Sequence, residues 1–342
     1  MSAVSGSATA PTADPSPLVV PAVHHRQNTP IRPPFPVGFI LERTIIGEMR
    51  RVDPADADCG IAQALGVLTD FWTFLLIRDI AGGVTRFDAL QRELGVSRRA
   101  LAERLSALVD HGVLIRKPYS DRPVRHDYLL TAKGEGVLPV LVALQEFGDR
   151  HVLGDGTLTG AATAAETRRA HAMIGRRLPD PSLVDSPTVL YFFPGAFAPS
   201  APDYPPGWGD IPGAPGCTLE SLTYAARTAD FEALGVAVRG VSTQRPDQLA
   251  ALAAHAALPF PLLSDADGRL AAGLRLPTFR AAGVDRFKRL SLLVDPDATI
   301  RSVQYPITDP AGSVAEMLDR ARASRSRSRG GGAASGYRGT GA

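Results

Sequence analysis

The sequence predicts two folded modules in series: an α+β module of helices closed by a β-hairpin, then an α/β module, with disordered tails at both ends. Three observations carry this. Between Asp58 and Phe147 apolar residues recur at helical spacing, and one pair of alternating, strand-like runs interrupts them near 113–130. From Thr188 onward, β-rich runs alternate with helical patterns, the order of an α/β sandwich. Residues 1–48, rich in Pro, Ala, Ser and Thr, and 323–342, rich in Arg, Ser and Gly, have no apolar period.

Composition narrows the class. The chain has 342 residues, 44% hydrophobic and 21% charged, enough for two domains. No run of eighteen apolar residues occurs, so no membrane partner is expected. The N-terminus lacks a charged stretch followed by an apolar one. Two distant cysteines make no disulfide framework, and a reduced, cytoplasmic setting is expected. Nothing calls for a cofactor or metal. A net charge of +2 implies no nucleic-acid partner by itself, so any basic surface has to be local. Met49-Arg-Arg reads as a chain start. Peptides upstream of Met49 in N-terminal mass spectrometry of the native protein would overturn that.

In the first module Asp58 is a candidate N-cap for a helix carrying Ile61, Leu65 and Leu68 on one stripe. A buried helix follows from Phe71. A third helix holds Phe87, Leu90 and Leu94 and stops at Gly95. Ser97 caps a fourth, with Leu101, Leu105 and Leu108 inward and Arg98, Arg99 and Arg104 outward. Helix, glycine turn, helix is the order of a helix-turn-helix. Val113–Tyr119 and His126–Leu130 alternate as strands around a turn at 120–125, forming a wing, and Thr131 caps a last helix through Phe147. From Ser97 to Lys133 eight basic residues stand against four acidic ones, a local surplus of four. Basic side chains at a helix start and a wing tip are where duplex phosphates and groove edges are met. Ser97, Arg98, Arg99, Arg104, Lys117, Arg122 and Arg125 are the candidate DNA-binding residues.

Residues from about 49 to 153 resemble the HxlR family of winged-helix regulators. The matching stretches are Cys59-Gly-Ile-Ala-Gln-Ala-Leu65, Trp72-Thr-Phe-Leu-Leu-Ile-Arg-Asp79, His111-Gly-Val-Leu114, Arg122-Pro-Val-Arg-His-Asp-Tyr128 and Leu130-Thr-Ala-Lys-Gly134. The resemblance implies a homodimer, joined through the first and last helices, on a pseudo-palindromic site in double-stranded DNA. It also implies that Cys59 stands where some members sense oxidants or electrophiles; a packed interfacial thiol is the other reading.

Residues 154–173 read as a linker, turning helical near 164–169. In the second module strands are expected at Thr188–Phe193, Val236–Ser242, Phe260–Ser264, Leu290–Asp295 and Ile300–Tyr305, with helices after Cys217, at Pro246–Ala257 and at Gly312–Arg322. Cys217 follows a Pro-Gly turn and opens an amphipathic helix. There the unpaired backbone N–H groups and the positive end of the helix dipole favour a thiolate. The plain alternative is a small buried hydrophobe.

From about 174 to 318 the chain resembles a thioredoxin-fold peroxiredoxin of the AhpC/TSA and bacterioferritin-comigratory type. The resemblance rests on Leu190-Tyr-Phe-Phe-Pro194, Pro215-Gly-Cys-Thr-Leu-Glu220, Leu258-Pro-Phe-Pro-Leu-Leu-Ser-Asp265 and Arg289-Leu-Ser-Leu-Leu-Val-Asp295. It implies that Cys217 is the peroxide-attacking nucleophile, that Arg289 is the active-site cation, that Glu220 supports it, and that Thr218 is a nearby hydroxyl. Two positions depart from the pattern. Ala214 stands where a Thr or Ser donor is usual, and Leu222 where a resolving cysteine would fall. A peroxiredoxin-like subgroup with a motif similar to Ile211-Pro-Gly-Ala-Pro-Gly-Cys217 makes the alanine a subgroup trait. Any cycle would then use one cysteine, with an external thiol as reductant.

Three readings stand at this point. One is a redox-responsive regulator in which Cys217 reacts with peroxide and alters DNA binding, with a Cys59–Cys217 disulfide as one coupling. The second is a working thiol peroxidase beside an independent DNA-binding domain. The third is a regulator with an inert thioredoxin-fold appendage that binds a partner.

Overall fold

A computed structural model describes residues 58–68, 70–200 and 202–331, with side chains to 325. The tail expected at 1–48, Met49 and residues 332–342 lie outside the described residues.

The first module is helical. α1 (Gly60–Val67) begins with Cys59, not Asp58, at its N-cap, and Cys59 makes no capping hydrogen bond. α2 (Phe71–Ala81) is capped by Asp70, whose side chain accepts from the Thr73 amide. α3 (Phe87–Leu94) ends at Gly95, which turns left-handed at φ 65° as expected of a glycine stop. α4 (Arg98–Asp110) starts at Ser97, whose hydroxyl accepts from the Ala100 amide. The wing is β1 (Leu114–Asp121) paired antiparallel with β2 (Val124–Leu130). Its turn is tighter than the expected 120–125, because pairing continues to Asp121–Val124. The last helix is two pieces, α5 (Ala132–Glu135) and α6 (Leu138–Phe147), broken at Gly136 and Val137. Pro139 lacks an N–H and fits only the first turn of a new helix.

The second module is a five-stranded sheet in the order β5-β4-β3-β8-β9. β3 (Thr188–Phe192), β4 (Ala237–Ser242) and β5 (Leu262–Ser264) run parallel. β8 (Leu290–Val294) and β9 (Ile300–Gln304) form the antiparallel side. Every residue of β3 and β8 is buried, as a central strand covered on both faces requires. The expected helix after Cys217 is two, α8 (Cys217–Ala226) and α9 (Thr228–Ala233). α10 (Pro246–His255) and α11 (Arg269–Leu274) follow.

Sequence reading missed the hairpin β6 (Thr278–Ala281) with β7 (Val284–Phe287). α12 runs from Gly312 to Gly331 instead of ending near Arg322. Arg325 Nη1 anchors the added turns on the Ala233 carbonyl at 2.7 Å. Among the described residues no single helix is long and apolar enough to cross a membrane.

The two modules share one hydrophobic core. Leu76, Ile77, Leu90 and Leu105 of the first belong to the same buried cluster as Leu274, Phe287 and Leu292 of the second. α11 packs on α2 and α6, and β6 and β7 pack on α6. Gln145 Nε2 donates to the Leu276 carbonyl at 2.7 Å.

The connection between the modules is ordered too. A π-helical turn (Gly148–Val152) leads through an irregular stretch to α7 (Ala164–His171). Thr163 and Glu166 close a capping box there, each side chain bonding the other's backbone amide.

Candidate functional site

Two glycines bend the loop that carries Cys217. Gly213 has φ 80° and Gly216 φ 102°, conformations that side-chain-bearing residues rarely adopt. A Cβ on Gly216 would sit 2.7 Å from Pro310 Cγ, and one on Gly213 2.7 Å from the Gly160 carbonyl carbon. The Gly213 clash is with the inter-module connection, whose Gly160 amide donates to the Pro212 carbonyl at 2.7 Å. Gly213→Ala is therefore expected to lower stability by about 1–3 kcal/mol. Unchanged urea unfolding would contradict that packing.

The bend places Cys217 in the first turn of α8, where its side chain is 3% exposed. The thiol donates to the Ala214 carbonyl at 3.4 Å. Arg289 Nη2 donates to Sγ at 3.4 Å and to the Pro215 carbonyl at 3.0 Å. Arg289 Nη1 pairs with Glu220 Oε2, with both side chains buried. Behind this trio the rings of Tyr191 and Tyr224 stack 4.4 Å apart, and their hydroxyls are bonded to Ser221 and Ser291. The structure therefore brings Cys217, Arg289 and Glu220 together.

It does not bring Thr218 with them. Thr218 is exposed and forms no hydrogen bond with the trio, because the next residue on a helix points about 100° away. Ala214 is buried and lends only its carbonyl. Leu222 is 44% exposed on α8.

The electrostatics correct the expectation of an acidified thiol. Burial pushes the Cys217 thiol up, and Arg289 and the Gly195 amide offset this only in part. Burial also lifts Glu220 to about 7, against the pull of Arg289. A thiol titrating above its ordinary value gains thiolate as pH rises, so its oxidation by peroxide is expected to accelerate from pH 6 to 9. Glu220→Gln removes a nearby negative charge and should move that profile to lower pH. A profile unchanged in the variant would show that Glu220 does not act on the thiol. The native chain keeps Glu220's proton to about 7, whereas the ordinary value is 4.5. The stability this residue contributes is thus full below about 4.5 and lost as pH rises through 7.

One residue of the site carries no sequence signal. Arg286 is 4% exposed, with its guanidinium 5.1 Å from the Trp208 ring and 5.8 Å from the Phe197 ring. Among the described residues its Nε has no hydrogen-bond partner, and Nη1 reaches only the Pro194 carbonyl at 3.5 Å. Only the β6–β7 hairpin places it beside the loop after β3, and that hairpin was not foreseen.

The basic surface lies on α4 and the wing. Ser97, Arg98, Arg99, Lys117, Arg122 and Arg125 are exposed, as DNA contact requires. Lys117, Arg122 and Arg125 have no acidic partner among the described residues. Arg99 pairs with Glu103 at 2.7 Å, and Arg98 with Asp88 at 3.3 Å. Arg104 is different. Its Nη2 and Nε hold Asp70 at 2.6 and 3.1 Å, and it caps α2 through that acid instead of facing solvent. A cleft of about 240 Å³ between the start of α4 and the wing is walled by Arg98, Arg125 and His126. Cys59 is exposed and Cys217 buried; both are free thiols.

Residues 67–154 match the HxlR-like helix-turn-helix family, and residues 211–303 the AhpC/TSA family. The first segment is similar to an uncharacterised HTH-type transcriptional regulator of Mycobacterium tuberculosis. The two are 39% identical over 92 residues, which cover 27% of this chain and 58% of that protein. The chain thus spans little more than half the length of that curated relative. The second segment is similar to peroxiredoxin Bcp of Escherichia coli, 28% identical over 118 residues, which cover 34% of this chain and 65% of that protein. A crystal structure of peroxidoxin BcpB from Mycobacterium tuberculosis aligns with 42% of this chain and 83% of its own, at 26% identity and a TM-score of 0.35. This chain belongs to the HxlR-like helix-turn-helix family through its first module, and its second module carries an AhpC/TSA domain: a transcriptional-regulator domain fused to a peroxiredoxin-like domain.

Proposed function

We propose that the protein is a peroxide-responsive DNA-binding regulator in which Cys217 is the reacting thiol. The observation that carries this is the double engagement of one loop. It presents Cys217 to Arg289, and at Pro212 it is hydrogen-bonded to the connection leading from the DNA-binding module. In the reaction the Cys217 thiolate attacks one oxygen of the peroxide and the O–O bond breaks. The leaving alkoxide or hydroxide takes up a proton, and the sulfur, oxidised by two electrons, becomes a sulfenic acid. Arg289 stabilises the negative charge as it moves from sulfur to oxygen. Two equivalents of an external thiol complete the cycle: the first forms a mixed disulfide with Cys217 and releases water, and the second frees the Cys217 thiol and leaves as the reductant's disulfide. Cys217 is buried on the second module and Cys59 exposed on α1, so a disulfide between them requires the Cys217 loop to open first.

The shared core speaks against a DNA-binding module that acts independently of its neighbour. A homodimer is supported by α1, which has no buried residue and exposes Ile61 and Leu65, and by Val140, Leu144 and Phe147 on α6. Duplex DNA would be met by Arg98, Arg99, Lys117, Arg122 and Arg125.

The test is to titrate reduced protein with hydrogen peroxide, trap sulfenic acid at Cys217 and measure DNA affinity, with Cys217→Ser alongside. The expected result is oxidation at micromolar peroxide with a change in DNA affinity that the serine variant lacks. Absence of sulfenic acid rejects the reading, and oxidation with unchanged DNA affinity favours an enzyme. Separately, Arg99→Ala is expected to weaken duplex binding and to reduce the slope of log affinity against log salt by about one. An unaltered slope would remove Arg99 from the interface.

A further inference from the structure

We propose that the cavity between the two modules, lined by Arg168, Arg176 and Arg275, is a binding site for a small hydroxylated phosphate ester that acts as an effector. The cavity holds about 540 Å³, within the range of small-molecule sites. Its walls come from both modules. Asp79 lies on α2 and Glu93 on α3, Arg168 and Arg169 on the connecting helix α7, and Arg275 just after α11. A ligand there touches the helix-turn-helix, the connection and the peroxiredoxin-like module together.

Charge specifies the ligand's sign. Arg169 is neutralised by Asp149 at 2.5 Å and Asp79 by Arg78 at 2.8 Å. Arg168, Arg176 and Arg275 form no ion pair among the described residues; of the two acids on the wall, Asp79 is already paired with Arg78, which leaves Glu93 as the one unpaired acid opposing them. Three positive charges against one leave a surplus of two, the charge that a phosphate monoester dianion carries near neutral pH, about −1.5 to −2. Burial, then the like charges of Arg78 and Arg176, push Arg275 down from its ordinary value, and Asp79 opposes them in part.

The frame around these charges is fixed. Arg169 Nε donates to the Arg275 carbonyl at 3.0 Å, Arg275 sits in a left-handed conformation at φ 56°, and Arg176 Nη2 lies against Gly82 at the end of α2. Two further features describe the rest of the ligand. Asp79 is 6% exposed and its Oδ2 has no hydrogen-bond partner among the described residues, so with Glu93 it offers acceptors for hydroxyl donors. No aromatic ring lines the cavity, which argues against a stacked nucleobase.

The site is independent of the thiol chemistry and can be tested on the full chain. The probes are glucose 6-phosphate and inorganic pyrophosphate, with glucose and sodium chloride at matched ionic strength as controls, read by thermal shift and calorimetry. Saturable stabilisation by both phosphates, with the controls inert, is expected. Arg275→Asn, which keeps a residue tolerant of the left-handed backbone, and Arg176→Gln should each weaken binding at least about tenfold. No saturable binding of either phosphate up to about 10 mM, or equal affinity in both variants, would overturn the site. Binding of pyrophosphate without glucose 6-phosphate would overturn its assignment to hydroxylated esters.

Discussion

Replacing Arg289 with methionine is expected to slow oxidation of Cys217 by hydrogen peroxide at least about tenfold, a loss of about 1.4 kcal/mol of transition-state stabilisation. The guanidinium donates to Sγ at 3.4 Å in a pocket where the thiol is 3% exposed. Little water remains there to solvate a thiolate or a departing oxygen, so a fixed cation has no solvent substitute. Burial already holds the thiol above its ordinary titration, and Arg289 is the largest influence opposing it. Without the arginine the thiolate is scarcer at neutral pH and the charge that develops on oxygen is unsupported.

The substitution also strands Glu220, a fully buried acid whose ion-pair partner is Arg289. Breaking a buried pair on one side costs about 3–5 kcal/mol. The double variant Arg289→Met with Glu220→Gln separates the two effects, because it replaces the unpaired buried carboxyl with a neutral amide and leaves the chemistry without its cation. The measurement is the second-order rate of sulfenic acid formation in both variants. If the double variant folds and oxidises as fast as the parent, Arg289 has no part in the reaction.

Lys288→Met should destabilise the whole chain by about 3–5 kcal/mol, through Glu166. Lys288 Nζ lies 2.9 and 3.0 Å from the two Glu166 oxygens and donates to the Ala161 carbonyl at 2.8 Å. Glu166 is completely buried and also accepts from the Thr163 amide and the Tyr305 hydroxyl. It is the point where the connection, α7 and the sheet meet. Removing the lysine leaves a completely buried acid without its cation. The double variant Lys288→Met with Glu166→Gln is expected to recover most of the loss, because an amide keeps the Tyr305 and Thr163 bonds without a net charge. Urea unfolding of the two variants decides the matter. Equal destabilisation in both would mean that the lysine's packing, not the charge pair, is responsible. Lys288 is the neighbour of Arg289 in the two-residue link between β7 and β8, so this pair ties the connection to the thiol pocket through consecutive residues.

Local signals in the sequence were strong wherever one residue type has one backbone job. Ser97, Thr131, Gly95 and the Pro-Gly before Cys217 each place a helix end, and each does so in the structure. Asp58 was read as a cap by the same logic, but the helix starts one residue later, where Cys59 offers no capping bond. Arg289 and Glu220 were legible only through the resemblance of their motifs to the AhpC/TSA family, since no local pattern marks either. Arg104 was not separable from Arg98 and Arg99 in sequence. Only the approach of α2 commits it to Asp70, 34 residues away. Arg286 had no local mark, because its role depends on a hairpin that carries it beside a loop 92 residues earlier.

By itself, then, the sequence determined the two modules, their order, the wing, and the helix start at Cys217. These depend on hydrophobic periodicity and on caps and turns that act within a few residues. The tertiary structure alone decided that the modules share one core and that the connection is hydrogen-bonded to the cysteine loop. It also decided that burial outweighs the helix end at the thiol and that three arginines without acidic partners face one cavity. Those outcomes depend on which distant surfaces exclude water from one another, and no local pattern along the chain records that.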